Sequence, residues 1–526
     1  MSMYLRQAAA LLRSLFHVAD PEPVDYPFTA SDIGQLQRIG ADPAKAAVDQ
    51  PTWQGLLLDP YFAMVAGEVS IFGKQVLHQR LCDGLDDAPR AALTARLRLL
   101  TSDPVQLDAL RRAVSPLRAA DTDIATLLFE DTLPPIPAWS GSLWLLFAGL
   151  VASIAAVALS PAAWLGAGLF LYQLMAIQVR YYQRVSAWER AMHAVQMMLR
   201  ATSLLGALPH PLLRDFAGAA PHAGKVNRSL ARSLGVSLVP GMQAYLDWFV
   251  LANVSHYFKG IAIVGAQRAF LRDCYTRCAN LEADVALARH LLATPVTCWA
   301  ERGRDDAIVL DRAVHPLLQA PAALSIALQG KGAFISGQNG IGKSTLLRTI
   351  GLNLLVARAF GFCYAGRASV PMLPVYASMQ SEDSLLGGES LYIAELQRAR
   401  QLLAVASRSR AATYIIDEIF RGTNHLESVS AAAALLDVLA ASSLVLVSSH
   451  NLVLASLLEH RLAPFCVTLD SDGVLQLAPG LLAHTNGIAL LAERGFGAEV
   501  ETGAAKVFDW LSAYLAEPVG GSEVLT

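Results

Sequence analysis

The stretch Gly337–Ser344, GQNGIGKS, sets Gly340 and Gly342 directly before a lysine and a hydroxyl residue. It fits the spacing G-x-x-x-x-G-K-[ST], in which glycines let successive backbone N–H groups turn inward around phosphate oxygens. In that chemistry Lys343 reaches the β- and γ-phosphates of a nucleoside triphosphate and the Ser344 hydroxyl ligates magnesium. Thr345 opens the helical run that follows, so the positive end of a helix faces the same anion. Further along, TYII ends in Asp417–Glu418 and SLVLVSS ends in His450. An Asp at the tip of an apolar strand reaches a metal through water, which makes Asp417 a metal-site candidate beside Ser344. Glu418 then orients or deprotonates an attacking water, and His450 is placed to sense the γ-phosphate. Each feature alone is ordinary. Three strand tips in this order, downstream of a phosphate loop, imply hydrolysis of ATP with Mg2+.

Such residues need a scaffold that brings strand ends together. GAFIS precedes the loop and TLLRTIGLNLLVARA follows it, which is the strand–loop–helix setting the motif demands. From about residue 301 short apolar runs (AFIS, TYIID, SLVLVSS) alternate with helical patterns, as in a buried parallel sheet. Residues 301–526 therefore read as an α/β nucleotide-binding domain. Residues 1–131 carry helical periodicity broken by Pro/Asp-rich turns, with APRAALTARLRLL clearly amphipathic, and 180–300 return to helical patterning, as in LEADVALARHLLA. Both read as parts of an all-α core and lever region.

Between these helical stretches, Thr132 to Val179 contains no charged residue. Leu143–Leu159 and Ala162–Val179 form two apolar arms, each ~26 Å as helix against a hydrocarbon layer of ~30 Å. Extending the first arm to Ala138 closes the gap. Trp139, Trp144, Tyr181 and Tyr182 suit interfacial positions, and Arg180, Arg184 and Arg190 follow the second arm while the Ser160–Pro161 turn has no cation. The expectation is a transmembrane helical hairpin over 132–179 with both flanks cytoplasmic, anchoring the protein in a bacterial-type inner membrane. The alternative is a hairpin buried in a helical core, which Gln173 and Gln178 favour. Asp247 and Lys259 argue against a third span.

Composition narrows the function further. The chain is 54% apolar and 16% charged, greasy for a soluble protein, and its net charge of −3 gives no strongly basic footprint for nucleic acid. Arginines recur between Arg80 and Arg118, but interleaved acids make that stretch a solvated helical face. Cys274 and Cys278 lie one helical turn apart without a second ligand pair, so the six cysteines read as reduced thiols rather than a metal site. The N-terminal MSMYLRQAAALLRSLF has arginines inside its apolar run and reads as an amphipathic helix rather than a secretion signal.

GQNGIGKSTLLRTIGLNLLVARAFGFCYAGRASVP, MQSEDSLLGGESLYIAEL, IIDEIFRGTN and SSHN, taken together, resemble the MutS family of DNA mismatch-repair ATPases over roughly residues 310–500. The resemblance puts Asn339 in the phosphate loop, assigns Gly388–Ser390 to the γ-phosphate of a partner subunit, and makes Arg421–Asn424 a loop across a dimer interface. His315–Pro316 matches the segment before the family's phosphate loop. PTWQGLLLDPYFAMVAGEVSIFGKQVLHQRL and CANLEADVALARHLLA are similar to parts of its helical core, and LLAHTNGIALLAERGFGAEV to its closing helix, which implies completeness at that end. Two departures stand out. No F-x-E triplet occurs, so a mismatch-wedging Phe cannot be carried over, and too little chain precedes PTWQGLL for mismatch-reading and connector domains.

The resemblance implies an ABC/MutS-type ATPase that dimerises through its ATPase domains and couples ATP turnover to mismatched or branched DNA, and the hairpin would place that activity at a membrane. Two rivals stay open. A membrane-attached clamp on a protein partner would suit the charge balance and the missing reader domain. A transporter half is echoed by LLGGES, but two spans cannot line a translocation path, and the interval from Lys343 to Asp417 is too short for a transporter's helical subdomain.

Overall fold

A computed structural model describes residues 26–42, 46–130, 132–232, 242–379, 391–408, 411–469, 475–482, 487, 490–491 and 494–514. The chain divides into two compact units. One comprises residues 1–41, 66–78 and 99–289, the other 42–65, 79–98 and 290–526. This division departs from the linear partition at residues 131, 179 and 300, because the second unit recruits early helices. Asp49 caps the helix Gln50–Gly55, and Thr52 Oγ1 accepts from the Ala377 N–H at 2.8 Å. Arg398, buried, donates to Asp49 at 2.6 Å and to Thr52 at 3.2 Å.

The second unit holds a 10-stranded sheet. Its parallel half runs, in spatial order, Leu462–Leu469, Gly332–Ser336, Leu444–Ser448, Thr413–Asp417 and Val375–Ser378. Gly332–Ser336, Thr413–Asp417 and Leu444–Ser448 are buried at every position, as their unbroken apolar runs require for strands covered on both faces. The helix Lys343–Phe360 lies against this sheet, buried on nearly all sides. It starts at Gly342 (φ 101°) and stops at Gly361 (φ 79°), two left-handed positions that favour glycine. The expected α/β class for the C-terminal part is therefore observed, with a mostly helical region before it.

The first unit is helical. Ala163–Gly206 is one continuous helix of 44 residues, so the second apolar arm does not end at Val179 but runs on into the unit's core. There Ala194, Val195, Met198, Leu199 and Leu205 are buried. The first arm is shorter than its composition suggests. It is helical only over Trp144–Ala156, 13 residues, preceded by a 3-10 turn over Ala138–Ser142. Among the described residues no single helix is long and apolar enough to cross a membrane. A pair of helices, Gln243–Val250 with Ala252–Ala266, is long and apolar enough only when taken together, and turns by 81° at Leu251, whose φ is 56°.

The buried-hairpin alternative is not what the structure shows. Trp144, Val151, Ile154, Leu159, Trp164, Leu165, Leu169, Tyr172 and Val179 are all exposed. Only one face of each arm is covered, and Gln178 is buried within that face.

Deeper in this unit Glu282, buried, accepts from the backbone N–H groups of Ser70 and Gly73, each at 3.0 Å, and from the Ser70 hydroxyl. It caps the start of the helix Ile71–Asp83, whose own first turn has no acid.

Candidate nucleotide site

The site is built by register. Ile335 pairs with Ser448, and Ser448 with Asp417, so three parallel strands end in one row. At ~4.8 Å per strand, Asp417 sits ~10 Å across the sheet from the strand that feeds the loop, with Ser448 between. The loop leaves the sheet at Gly337, where a Cβ would press on Ile341 and Val467. Gly340 has φ 78°, and Gln338, Asn339 and Gly340 are exposed. These are the local constraints that the glycine spacing encodes.

Lys343 is buried, and its ammonium donates to the carbonyls of Gly337 at 2.9 Å and Gln338 at 3.1 Å. Desolvation lowers its pKa, and the negative charges of Glu418 and Asp417 work against that. A lysine that feels both carboxylates lies in the same electrostatic neighbourhood as they do, so the structure brings together the cation and the acids named from sequence. Ser344 and Thr345 are half-buried in the first turn of the helix that Lys343 starts.

Asp417, buried, accepts a hydrogen bond from the Ser448 hydroxyl. Beyond it the chain turns abruptly, with Glu418 at φ 52° and Phe420 at φ 57°. Two non-glycine residues in left-handed conformation are costly and are tolerated where the surroundings over-determine them. Here the Glu418 N–H donates to Ser448 O at 3.0 Å, which pins the turn. The Glu418 carboxylate is shared, with one oxygen 2.9 Å from His450 Nε2 and the other 2.9 Å from Arg421. His450 is half exposed and reaches outward from the end of its strand.

Sequence reasoning missed two residues here, Ser448 and Glu395, and the intrachain pairing of Arg421. Ser448 orients the metal-site candidate. Arg421 pairs with Glu418 within the same chain, besides any role across an interface. Glu395, on the helix Leu391–Ala406, receives the backbone N–H groups of Arg421 and Gly422, while burial pushes its carboxyl pKa up. A signal for the last existed. Gly422 is a glycine because a Cβ there would lie 2.7 Å from the Tyr392 nitrogen, so loop and helix touch backbone to backbone. Gly388 and Ser390 lie outside the described residues, as do eight of the twenty residues assigned to the closing helix.

No cluster of three or more His, Cys, Asp or Glu suited to a metal occurs among the described residues. Magnesium bound with a nucleotide takes one or two protein oxygens and the rest from phosphate and water. Ser344 and Asp417, the latter held by the Ser448 hydroxyl, would supply those oxygens.

Known proteins share the region that holds this site. MutS domain V matches residues 333–500, from the strand before the loop to the start of the last described helix. The DNA mismatch repair protein MutS of Thermus aquaticus is 28% identical over 186 residues, 34% of this chain and 23% of that protein. MutS 1 of Halobacterium salinarum is 26% identical over 207 residues, 38% of this chain and 23% of its own length. Endonuclease MutS2 of Thermus thermophilus is 35% identical over 163 residues, 30% of this chain and 21% of that protein. Over residues 333–500 the chain carries a MutS domain V. It spans about a quarter of the length of these curated relatives, and the shared part is MutS domain V, the region that contains Lys343, Asp417, Glu418 and His450.

Proposed function

We propose that the MutS domain V of this chain binds and hydrolyses ATP. The carrying observation is the convergence of Lys343, Asp417, Glu418 and His450 at adjoining strand ends. The loop N–H groups and Lys343 would cradle the phosphates. Ser344 and Asp417 would hold Mg2+, which neutralises charge building up between the β- and γ-phosphates. Glu418 keeps free lone pairs beyond its bonds to His450 and Arg421, so it can accept a proton from a water held in line with the γ-phosphate. His450 orients that carboxylate. By family analogy two chains pair through these domains, Ser390 of each meeting the nucleotide of the other.

The test is Glu418→Gln in the full chain. Nucleotide binding should persist while phosphate release falls by ~100- to 10,000-fold, and a variant that turns over at the parental rate removes Glu418 from the chemistry.

For the output of the cycle we favour DNA, mismatched or branched, as the names of the relatives suggest. A clamp on a protein partner is the second reading, favoured by the absent F-x-E triplet and the net charge of −3. Titration with duplex, mismatched and branched DNA at two salt concentrations separates them, because phosphate binding weakens steeply with salt.

We also propose that the hairpin anchors the chain in a membrane, with the ATPase on the cytoplasmic side. Its support is the apolar surface left exposed on both arms beside the exposed Arg180, Arg184 and Arg190.

A further inference from the structure

We infer that the hairpin enters the bilayer from one side and ends inside the hydrocarbon, its Leu159–Leu165 tip never reaching the far headgroups. This deepens the anchoring proposal and rests on it. Four observations carry it.

The first is circumference. On Trp144–Ala156 the exposed positions Trp144, Leu145, Phe147, Val151 and Ile154 spread over about half the helix at 100° per residue, and those of Ala163–Val179 spread at least as far. A second protein chain normally covers a single stripe of ~100°. A solvent that wraps both arms is needed, and an uncharged surface of this extent selects lipid.

The second is reach. The arms enter at an aromatic base where Trp139, Tyr181 and Phe258 pack with ring centroids 5.4 to 6.0 Å apart, and the Arg184 guanidinium lies 5.7 Å from the Tyr181 ring. Such a base belongs at the headgroup boundary. From Tyr181 to the tip the helix climbs ~27 Å, less when tilted, which falls short of ~30 Å of hydrocarbon.

The third is the tip itself. Leu159 is 90% and Leu165 81% exposed, and the intervening turn has no charged residue. A loop that emerged into water would leave these leucines hydrated.

The fourth is backbone satisfaction. The N–H groups of Val157, Ala158, Leu159 and Ser160 all bond to carbonyls of Ile154, Ala155 or Ala156, and those of Ala163, Trp164 and Leu165 to Ser160, Pro161 and Ala162. Water would satisfy such groups unaided. In hydrocarbon every unpaired group costs several kcal/mol, and this turn closes seven N–H bonds of its own.

Beside the arms, Tyr245, Trp248 and Phe249 continue the apolar surface. With Leu171 and Met175 they form a cleft of about 260 Å³, while Asp247 on their other side is held by Arg232 at 3.4 Å. That polar tie keeps the aromatic segment at the edge of the lipid, where acyl chains fill the cleft.

The experiment uses the full chain with Ser160→Cys or, as a base control, Gln183→Cys, in vesicles of equal parts phosphatidylcholine and phosphatidylglycerol. A membrane-impermeant maleimide is supplied outside or trapped in the lumen, with the unsubstituted chain setting the background. Gln183→Cys should react from outside. Ser160→Cys should react more than about tenfold slower from either side, and as fast as the control once detergent is added. Reaction from the lumen would mean that the hairpin crosses, and reaction from outside that the tip is not inserted; either overturns the inference. Flotation of the same vesicles separates the two proposals, since protein that floats with a reactive tip keeps the anchor and loses the buried tip, whereas protein that fails to float loses both.

Discussion

Glu282→Gln should erase a pH dependence of stability that the native helical unit carries. Burial is the largest influence on Glu282 and raises its pKa from 4.5 to about 7, against the pull of Ser70, Gly73 and Arg118 toward the charged form. Below 4.5 both folded and unfolded chains hold the proton, and the contribution is fully present. Between 4.5 and about 7 only the folded chain holds it, so stability falls as pH rises. Each pH unit across that window costs ~1.4 kcal/mol, and ~3 kcal/mol is gone on the alkaline side. The carboxyl cannot relieve the penalty by moving toward the helix start, because its oxygen already lies within hydrogen-bond distance of Gly73 N–H at 3.0 Å.

Gln is neutral throughout. Its carbonyl oxygen can accept from the same N–H groups and its amide can donate to the Ser70 hydroxyl, so its stability should be nearly flat with pH. The assay is hydrogen exchange with urea on peptides from Ile71–Asp83 and Arg268–Ala293, at pH 5 and pH 8, with intrinsic exchange rates divided out. This reads the opening of the unit itself and does not require the whole chain to unfold in one step. The parent should lose ~3 kcal/mol of opening free energy between the two conditions and the variant less than ~1 kcal/mol. A parallel loss in both would show that another group titrates. A parent that gains stability with pH would show that the three donors outweigh burial, reversing the reasoning.

The remaining expectations concern the nucleotide unit. Lys343→Ala removes the buried ammonium at the phosphates and should weaken ATP binding by ~10- to 100-fold, read by equilibrium dialysis, with the fold intact by circular dichroism. Arg398→Met strips Asp49, Thr52 and the Ala377 carbonyl of their shared donor. It should cost ~2–3 kcal/mol in a urea titration, less than a fully buried pair because Asp49 is partly solvated. Gly422→Ala forces a Cβ against the Tyr392 backbone. It should displace Arg421 and slow phosphate release more than it weakens ATP binding, and equal losses in both would place the effect elsewhere.

What could be read from the sequence follows from how local each constraint is. The phosphate loop was legible because Gly340 and Gly342 answer to their own dihedral angles, and Asp417 because an acid that ends an apolar run can only sit at a strand tip. The uncharged hairpin was legible for a similar reason, as a stretch without charge needs no partner to be noticed. Its lengths were not, since nothing between Leu143 and Gly206 marks where the first arm frays after Ala156 or says that the second continues past Val179. Residues that act through distant partners were invisible. LEADVALARHLLA reads only as helical patterning, which says nothing of Glu282, yet Glu282 is buried against the start of a helix 212 residues earlier that has no acid in its own first turn. The same holds for Arg398, whose partner Asp49 lies 349 residues away. In each case a deficit at one place, an uncompensated helix end or an unpaired carboxylate, is met by a surplus at another. Periodicity reads one segment at a time and so cannot match them. An unaccompanied helix start is nevertheless a usable signal. Ser70 and Gly73 without an acid among them ask for a carboxylate from elsewhere, and the acids on the buried faces of other helices are the short list that can answer.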